Sequence, residues 1–227
     1  MREIVLDTET TGFDPESGDR IVEIGCVELL NHLPTGKTYH QYINPQRDMP
    51  ADAFAVHGIS SDFLADKPLF AAVGQAFLDF VGDAKMVIHN ASFDMKFLNA
   101  ELGWINLPKL PMSQAIDTLE IARKRFPGAQ NSLDALCRRF GVDNSNREKH
   151  GALLDSEILA EVYLELVGGR QPDLTLMVSS GKISQNNNGG DWSPQKRPSP
   201  LPSRISVEEQ QAHAAFLEKL KDPLWSR

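Results

Sequence analysis

The chain is predicted to adopt an α/β fold, a mixed β-sheet flanked by helices and followed by a flexible linker and a C-terminal helix. Three observations predict it. Three strand-like runs open the chain, apolar segments of strand and helix length alternate after them, and the composition then turns polar, Gly-rich and Pro-rich before one last helix-like segment. At 227 residues, 41% of them hydrophobic, the chain has room for one sizeable domain and a tail.

The run 4–6 leads straight into Asp7, Thr8 and Glu9 and reads as the first strand; 20–29 and 38–43 read as the second and third. Gly, Pro and Asp turns divide them, the pattern of an antiparallel meander. Next come a helix over about 68–81, a buried strand at 86–88, a helix over about 93–102 and a short strand near 115–117. Helices around 119–125, 133–140 and 152–167 complete the predicted domain, residues 1–170. Residues 171–177 form a junction. From 178 to 204 Ser, Gly, Asn, Gln and Pro predominate, and a flexible linker of that size separates its ends by roughly 30 Å r.m.s.. In the last segment, 205–227, Ser206 and Glu209 have capping-box spacing, and a helix over 206–221 would put Val207, Ala214, Leu217, Leu220 and Leu224 near one face. A helix this short is marginal alone and implies a partner, with Trp225 as an aromatic anchor.

Composition narrows the class. The two cysteines, Cys26 and Cys137, fall in core-like runs and are expected to be buried rather than bridged. No charged-then-apolar leader opens the chain and no apolar run approaches membrane-spanning length, so a cytoplasmic protein with no membrane partner is expected. The net charge of −8 is uneven: residues 1–170 hold 16 Lys+Arg against 25 Asp+Glu, and the remainder 7 against 6. An acidic body gains little long-range steering toward nucleic acid, so a tether to something already holding the substrate would help it.

Three clusters carry the chemistry. In Asp7-Thr8-Glu9-Thr10-Thr11-Gly12 the two carboxylates are two apart on a strand and share a face. Acidic strand ends before a Gly turn also arise where a chain simply meets solvent. In His89-Asn90-Ala91-Ser92-Phe93-Asp94 the Asp falls in the first turn of a helix, a place that favours carboxylates for structural reasons as well. His89 is expected to make a local hydrogen bond rather than bind a hard cation. In His150-Gly151-Ala152-Leu153-Leu154-Asp155 the two polar residues are five apart, roughly 140° around a helix, so His150 must lie in the loop before it. A histidine there suits a general base, since the unperturbed imidazole has a pKa of about 6.5. Four carboxylates in one cleft would repel strongly unless cations neutralise them, and a pair of divalent ions held by carboxylate oxygens is an arrangement that cleaves phosphodiesters.

In this order and spacing, the three clusters resemble the DEDDh exonuclease family over residues 1 to about 167. The resemblance implies a ribonuclease H-like fold, with two Mg²⁺ or Mn²⁺ ions held by Asp7, Glu9, Asp94 and Asp155. It also implies that His150 activates water to cut single nucleotides from a 3′ end; a tyrosine there would mark the sister group. Family members contact the terminal nucleotide through a histidine in a segment like Val56-His57-Gly58-Ile59, which implies His57 as a substrate contact beside Asp7, Glu9 and Asp155; a histidine capping a turn is the structural alternative.

The tail is similar to those of family members that proofread DNA beside a polymerase. That resemblance implies single-stranded or frayed 3′ ends as substrate, and the catalytic subunit of a replicative polymerase as the partner of Leu217, Leu220, Leu224 and Trp225. A small accessory subunit is a further candidate partner. Gln171, Leu174 and Leu176 resemble a bacterial sliding-clamp binding hexapeptide, although Leu176 stands where that pattern commonly ends in an aromatic. Two other readings compete: a ribonuclease that trims RNA 3′ ends, which leaves linker and tail unexplained, and a non-catalytic adapter between clamp and polymerase, against which the five active-site-type residues speak.

Overall fold

The computed structural model describes residues 1–145, 149–169 and 205–219. The chain divides into two compact units, Met1–Thr175 and Leu176–Arg227. In the first, β1 (Arg2–Thr10), β2 (Ile21–Leu30) and β3 (Leu33–Tyr42) form the expected antiparallel meander. Strand β4 (Lys85–Ile88) pairs with β1 in parallel, and β5 (Ala115–Asp117) pairs with β4 in parallel. The order β3-β2-β1-β4-β5 makes a mixed sheet with β1 at its centre.

The period-2 alternation of β1 sets what lies on each face. Ile4 and Leu6 pack with Ile24, Cys26, Met86 and Ile88 beneath α3 (Phe70–Val81) and α4 (Ala91–Trp104), where Phe70, Phe77 and Phe97 are fully buried. Val5 points the other way, joining Val27, Leu29 and Val87 against Leu159, Ala160 and Tyr163 of α7 (Ala152–Leu166). Two smaller helices, α5 (Thr118–Arg125) and α6 (Leu133–Phe140), pack against α7 through Ala122, Leu136 and Cys137. Cys26 and Cys137 are buried and unbridged, as expected.

Three expectations are corrected. Helices α1 (Ala51–His57) and α2 (Ser61–Leu64) occupy a stretch with no predicted element; at seven and four residues they are too short to show a helical period. Strand β3 begins at residue 33, not 38, because Asn31 and His32 both adopt positive φ (53° and 67°) and close a two-residue hairpin turn. In the second unit, α8 (Val207–Leu217) ends short of residue 221. Ser206 and Glu209 do form the capping box, Glu209 N–H to Ser206 Oγ at 3.2 Å and Ser206 N–H to Glu209 Oε2 at 2.8 Å. Within the helix Val207, Ala214 and Leu217 fall within about 80° of one another, and the exposed Phe216 lies about 180° around from Val207. Leu220, Leu224, Trp225, the linker 178–204 and the clamp-like residues Gln171, Leu174 and Leu176 lie outside the described residues. No described helix is long and apolar enough to cross a membrane.

Candidate active site

Asp7 and Glu9 stand at the C-terminal end of β1, alternating with Val5 and so on the face that α7 covers. Asp7 is paired across the sheet with Gly25 of β2. That glycine permits a close approach: a Cβ built on it would sit 2.2 Å from the Ala152 carbonyl carbon and 2.2 Å from the Leu153 nitrogen. The first turn of α7 therefore rests on the backbone of β2, where Ser156 Oγ also donates to the Gly25 carbonyl at 2.9 Å. Its carboxylate, Asp155, is thereby brought buried to the end of β1.

Asp94 arrives from the opposite face. It lies in the first turn of α4, and the Thr8 hydroxyl, pointing away from Asp7 and Glu9, donates to its Oδ1 at 2.7 Å. Asp117 at the end of β5 fastens the start of α4: its carboxylate accepts the N–H groups of Asn90 and Ala91, each at 3.2 Å, and also caps α5 through Leu119 at 2.9 Å. Burial pushes the Asp94 carboxyl up to about 7; the Thr8 hydrogen bond works against the shift, and the Asp117 charge adds to it.

His150 precedes α7, in the loop position its spacing required. Its N–H donates to the Val56 carbonyl at 3.3 Å, and the neighbouring Lys149 ammonium lies 5.1 Å over the Phe54 ring, so the end of α1 carries this loop. The half-exposed imidazole turns Nδ1 to within 3.3 Å of Asp155 Oδ2. Glu9, His150 and Asp155 each offer a ligand atom within 4.8 Å of the others. Asp7 and Asp94 line the same cleft, of about 730 Å³.

All five residues singled out by the sequence thus open onto one cavity. Carboxylates at such separations repel by roughly 4 kcal/mol per pair at 4 Å in a partly screened site, and Asp94 and Asp155 are buried, so the arrangement calls for cations. An oxygen-rich donor set of this kind fits Mg²⁺ or Mn²⁺, with Asp7, Glu9, Asp94 and Asp155 as the candidate ligands.

A second pocket, of about 480 Å³, adjoins the cleft and shares Thr8, Glu9 and Phe93 with it. His57 and the exposed Phe13 line it. His57 does cap a turn, its Nδ1 accepting the Ile59 N–H at 3.0 Å, but its buried Nε2 has no well-formed hydrogen bond among the described residues. Burial holds its pKa below the ordinary imidazole value, with the Thr10 backbone opposing. A neutral ring at a pocket wall can meet a ligand and cap the turn at once. His89 makes its expected local contact, Nδ1 to Thr118 Oγ1 at 2.9 Å.

Thr8, Gly25 and Asp117 also build the site and were not anticipated from sequence. Two of them left readable signals: a glycine inside a strand marks a close backbone approach, and Asp-Thr between a strand and a helix marks an N-cap. Thr8 left none, because its bond to Asp94 spans 86 residues.

Comparison with known proteins agrees with this geometry. Residues 4–163 match the model of the exonuclease family. The chain is 50% identical over 224 residues to the DNA polymerase III subunit epsilon of Rickettsia felis, covering 97% of each chain. To the DNA polymerase III subunit epsilon of Escherichia coli it is 49% identical over 176 residues, 74% of this chain and 72% of the other. Among solved structures, exonuclease X bound to 5′-overhanging duplex DNA is similar at a TM-score of 0.56 and 26% identity, with 72% of this chain and 90% of that one covered. The nuclease domain of 3′hExo, a DEDDh family member bound to rAMP, has the same fold at a TM-score of 0.64 and 22% identity, covering 73% of this chain and 91% of that one.

Proposed function

Because the chain belongs to the exonuclease family and is a 3′-to-5′ exonuclease, we propose that it removes mispaired nucleotides from the 3′ end of DNA as the proofreading subunit of a bacterial replicative polymerase. The observation that carries this reading is the convergence of Asp7, Glu9, Asp94, Asp155 and His150 on one cleft, in a chain 50% identical to an epsilon subunit over 97% of its length. That match takes in the segment beyond the catalytic unit, where residues for holding a polymerase are expected.

Asp7, Glu9, Asp94 and Asp155 would hold two divalent ions, Mg²⁺ or Mn²⁺. When bound, such a pair neutralises the clustered carboxylates and polarises the phosphodiester between its terminal and penultimate nucleotides. The residues of the chain supply the rest. Thr8 fixes the rotamer of Asp94 through its hydrogen bond. With Nδ1 turned to Asp155, His150 accepts the proton of the attacking water at Nε2. His57 and Phe13 receive the terminal nucleoside in the adjoining pocket. The partners follow the same reading: the polymerase catalytic subunit through 205–227, including Leu217, Leu220, Leu224 and Trp225, and the sliding clamp through Gln171, Leu174 and Leu176.

Purified protein supplied with Mg²⁺ should release 5′-mononucleotides faster from 3′-mispaired DNA than from a matched duplex or short RNA, and should co-elute with the polymerase catalytic subunit. Preferential trimming of RNA would reassign the substrate.

A further inference from the structure

Helix α5 carries three consecutive cations, Arg123, Lys124 and Arg125, and the fold uses two of them. Lys124 pairs with Glu120 at 2.6 Å; Arg125 donates to the carbonyls of Glu165 and Leu166 at 2.8 and 2.7 Å. Arg123 is different. It is exposed, makes no hydrogen bond or ion pair with a described residue, and lines the active-site cleft, the one Lys or Arg among the described residues there. Its charge is felt on the cleft wall: burial lowers the pKa of His89, and Arg123 adds to that lowering.

A guanidinium left unpaired beside a carboxylate-rich centre has no evident structural work. The cleft's geometry gives it one. The pocket with His57 and the cleft with Arg123 meet at Thr8, Glu9 and Phe93, so a strand lying across the carboxylates would place one nucleotide in each. We propose that Arg123 holds the phosphodiester on the 5′ side of the scissile one, gripping the strand that stays behind while the terminal nucleoside occupies the His57 pocket. This rests on the reading of the cleft as an exonuclease centre. It also explains how an acidic domain retains a polyanion: attraction is local, from one charge in the groove rather than from the surface as a whole.

The test compares two substrates with the same scissile chemistry: oligothymidylate, and the 4-nitrophenyl ester of thymidine 5′-phosphate, which has no strand upstream. Arg123→Ala should cut the preference of kcat/KM for the oligonucleotide over the ester by about five- to tenfold, acting through KM. The slope of log KM against log salt for the oligonucleotide should fall by roughly 0.7, the contribution of one single-strand phosphate. Arg123→Lys should restore most of the preference and the slope. Parallel losses on both substrates would make Arg123 a support of the fold, and an unchanged preference and salt slope would leave it outside the substrate path; either result overturns the proposal. If the wild-type protein cleaved neither substrate, the reading of the cleft itself would fall first.

Discussion

Asp94 shows what it means to bury a carboxylate for a cation to meet. Its pKa is pushed up to about 7 by burial, against an ordinary value of 3.8. A carboxyl raised on folding favours the folded state fully below 3.8, and that contribution is lost as pH rises through about 7. Asp94→Asn keeps the acceptor for Thr8 and removes the charge. In EDTA the variant should therefore melt higher than the wild type at pH 8, with the difference shrinking toward pH 4; calorimetry at both pH values checks this. In Mg²⁺ the same variant, like Asp7→Ala, Glu9→Ala and Asp155→Ala, should lose nearly all exonuclease activity while staying folded. His150→Ala should lower turnover by about two to four orders of magnitude and flatten the acidic limb of the pH–rate profile, which stopped-flow assays would reveal. The four carboxylates and His150 were legible because strand period, helix phase and donor chemistry all act over a few residues. Thr8 was not, since only the packed sheet brings it to Asp94.

At the scale of elements, the site depends on how closely α7 lies on β2. Gly25→Ala would drive a methyl into the backbone of Ala152 and Leu153, so the first turn of α7 would have to lift and carry Asp155 and His150 with it. Overpacking of this kind costs about 1–3 kcal/mol, and the displaced ligands should lower kcat well beyond what the loss of folded protein explains. Thermal denaturation alongside kcat separates the two effects; unchanged values of both would mean that the helix has slack. Some elements were legible from their apolar pattern: the helix expected over 133–140 is α6 residue for residue, and β4 falls on its apolar run. Helix α1 was not, although it bears His57 and steadies the His150 loop, because seven residues between Pro50 and Gly58 read as turn chemistry. The position of the turn at Asn31 and His32 hid for a related reason: neither residue is a glycine, yet both take positive φ.

Over the whole molecule, the proposed function assigns catalysis and attachment to different parts of the chain. The candidate catalytic residues all precede residue 170, while the capped helix α8 stands in the second unit with its surface almost wholly exposed. Deleting residues 206–227 should leave hydrolysis of single-stranded DNA unchanged and abolish co-elution with the polymerase catalytic subunit on size exclusion. Composition predicts a body, a linker and a tail; the structure describes two compact units, Met1–Thr175 and Leu176–Arg227, and the linker 178–204 lies outside the described residues. On the proposed reading, an acidic body tethered beside the primer end would meet its substrate at high effective concentration, so that local chemistry decides the rate. That chemistry is open to a decisive assay: single-turnover release from DNA with a 3′ mispair, with Mg²⁺ or EDTA, by the wild type and by Asp155→Asn. Stepwise release of 5′-mononucleotides from the 3′ end by the wild type in Mg²⁺ alone is the expected result. Release in EDTA, release by Asp155→Asn at the wild-type rate, or cleavage at internal positions would contradict it.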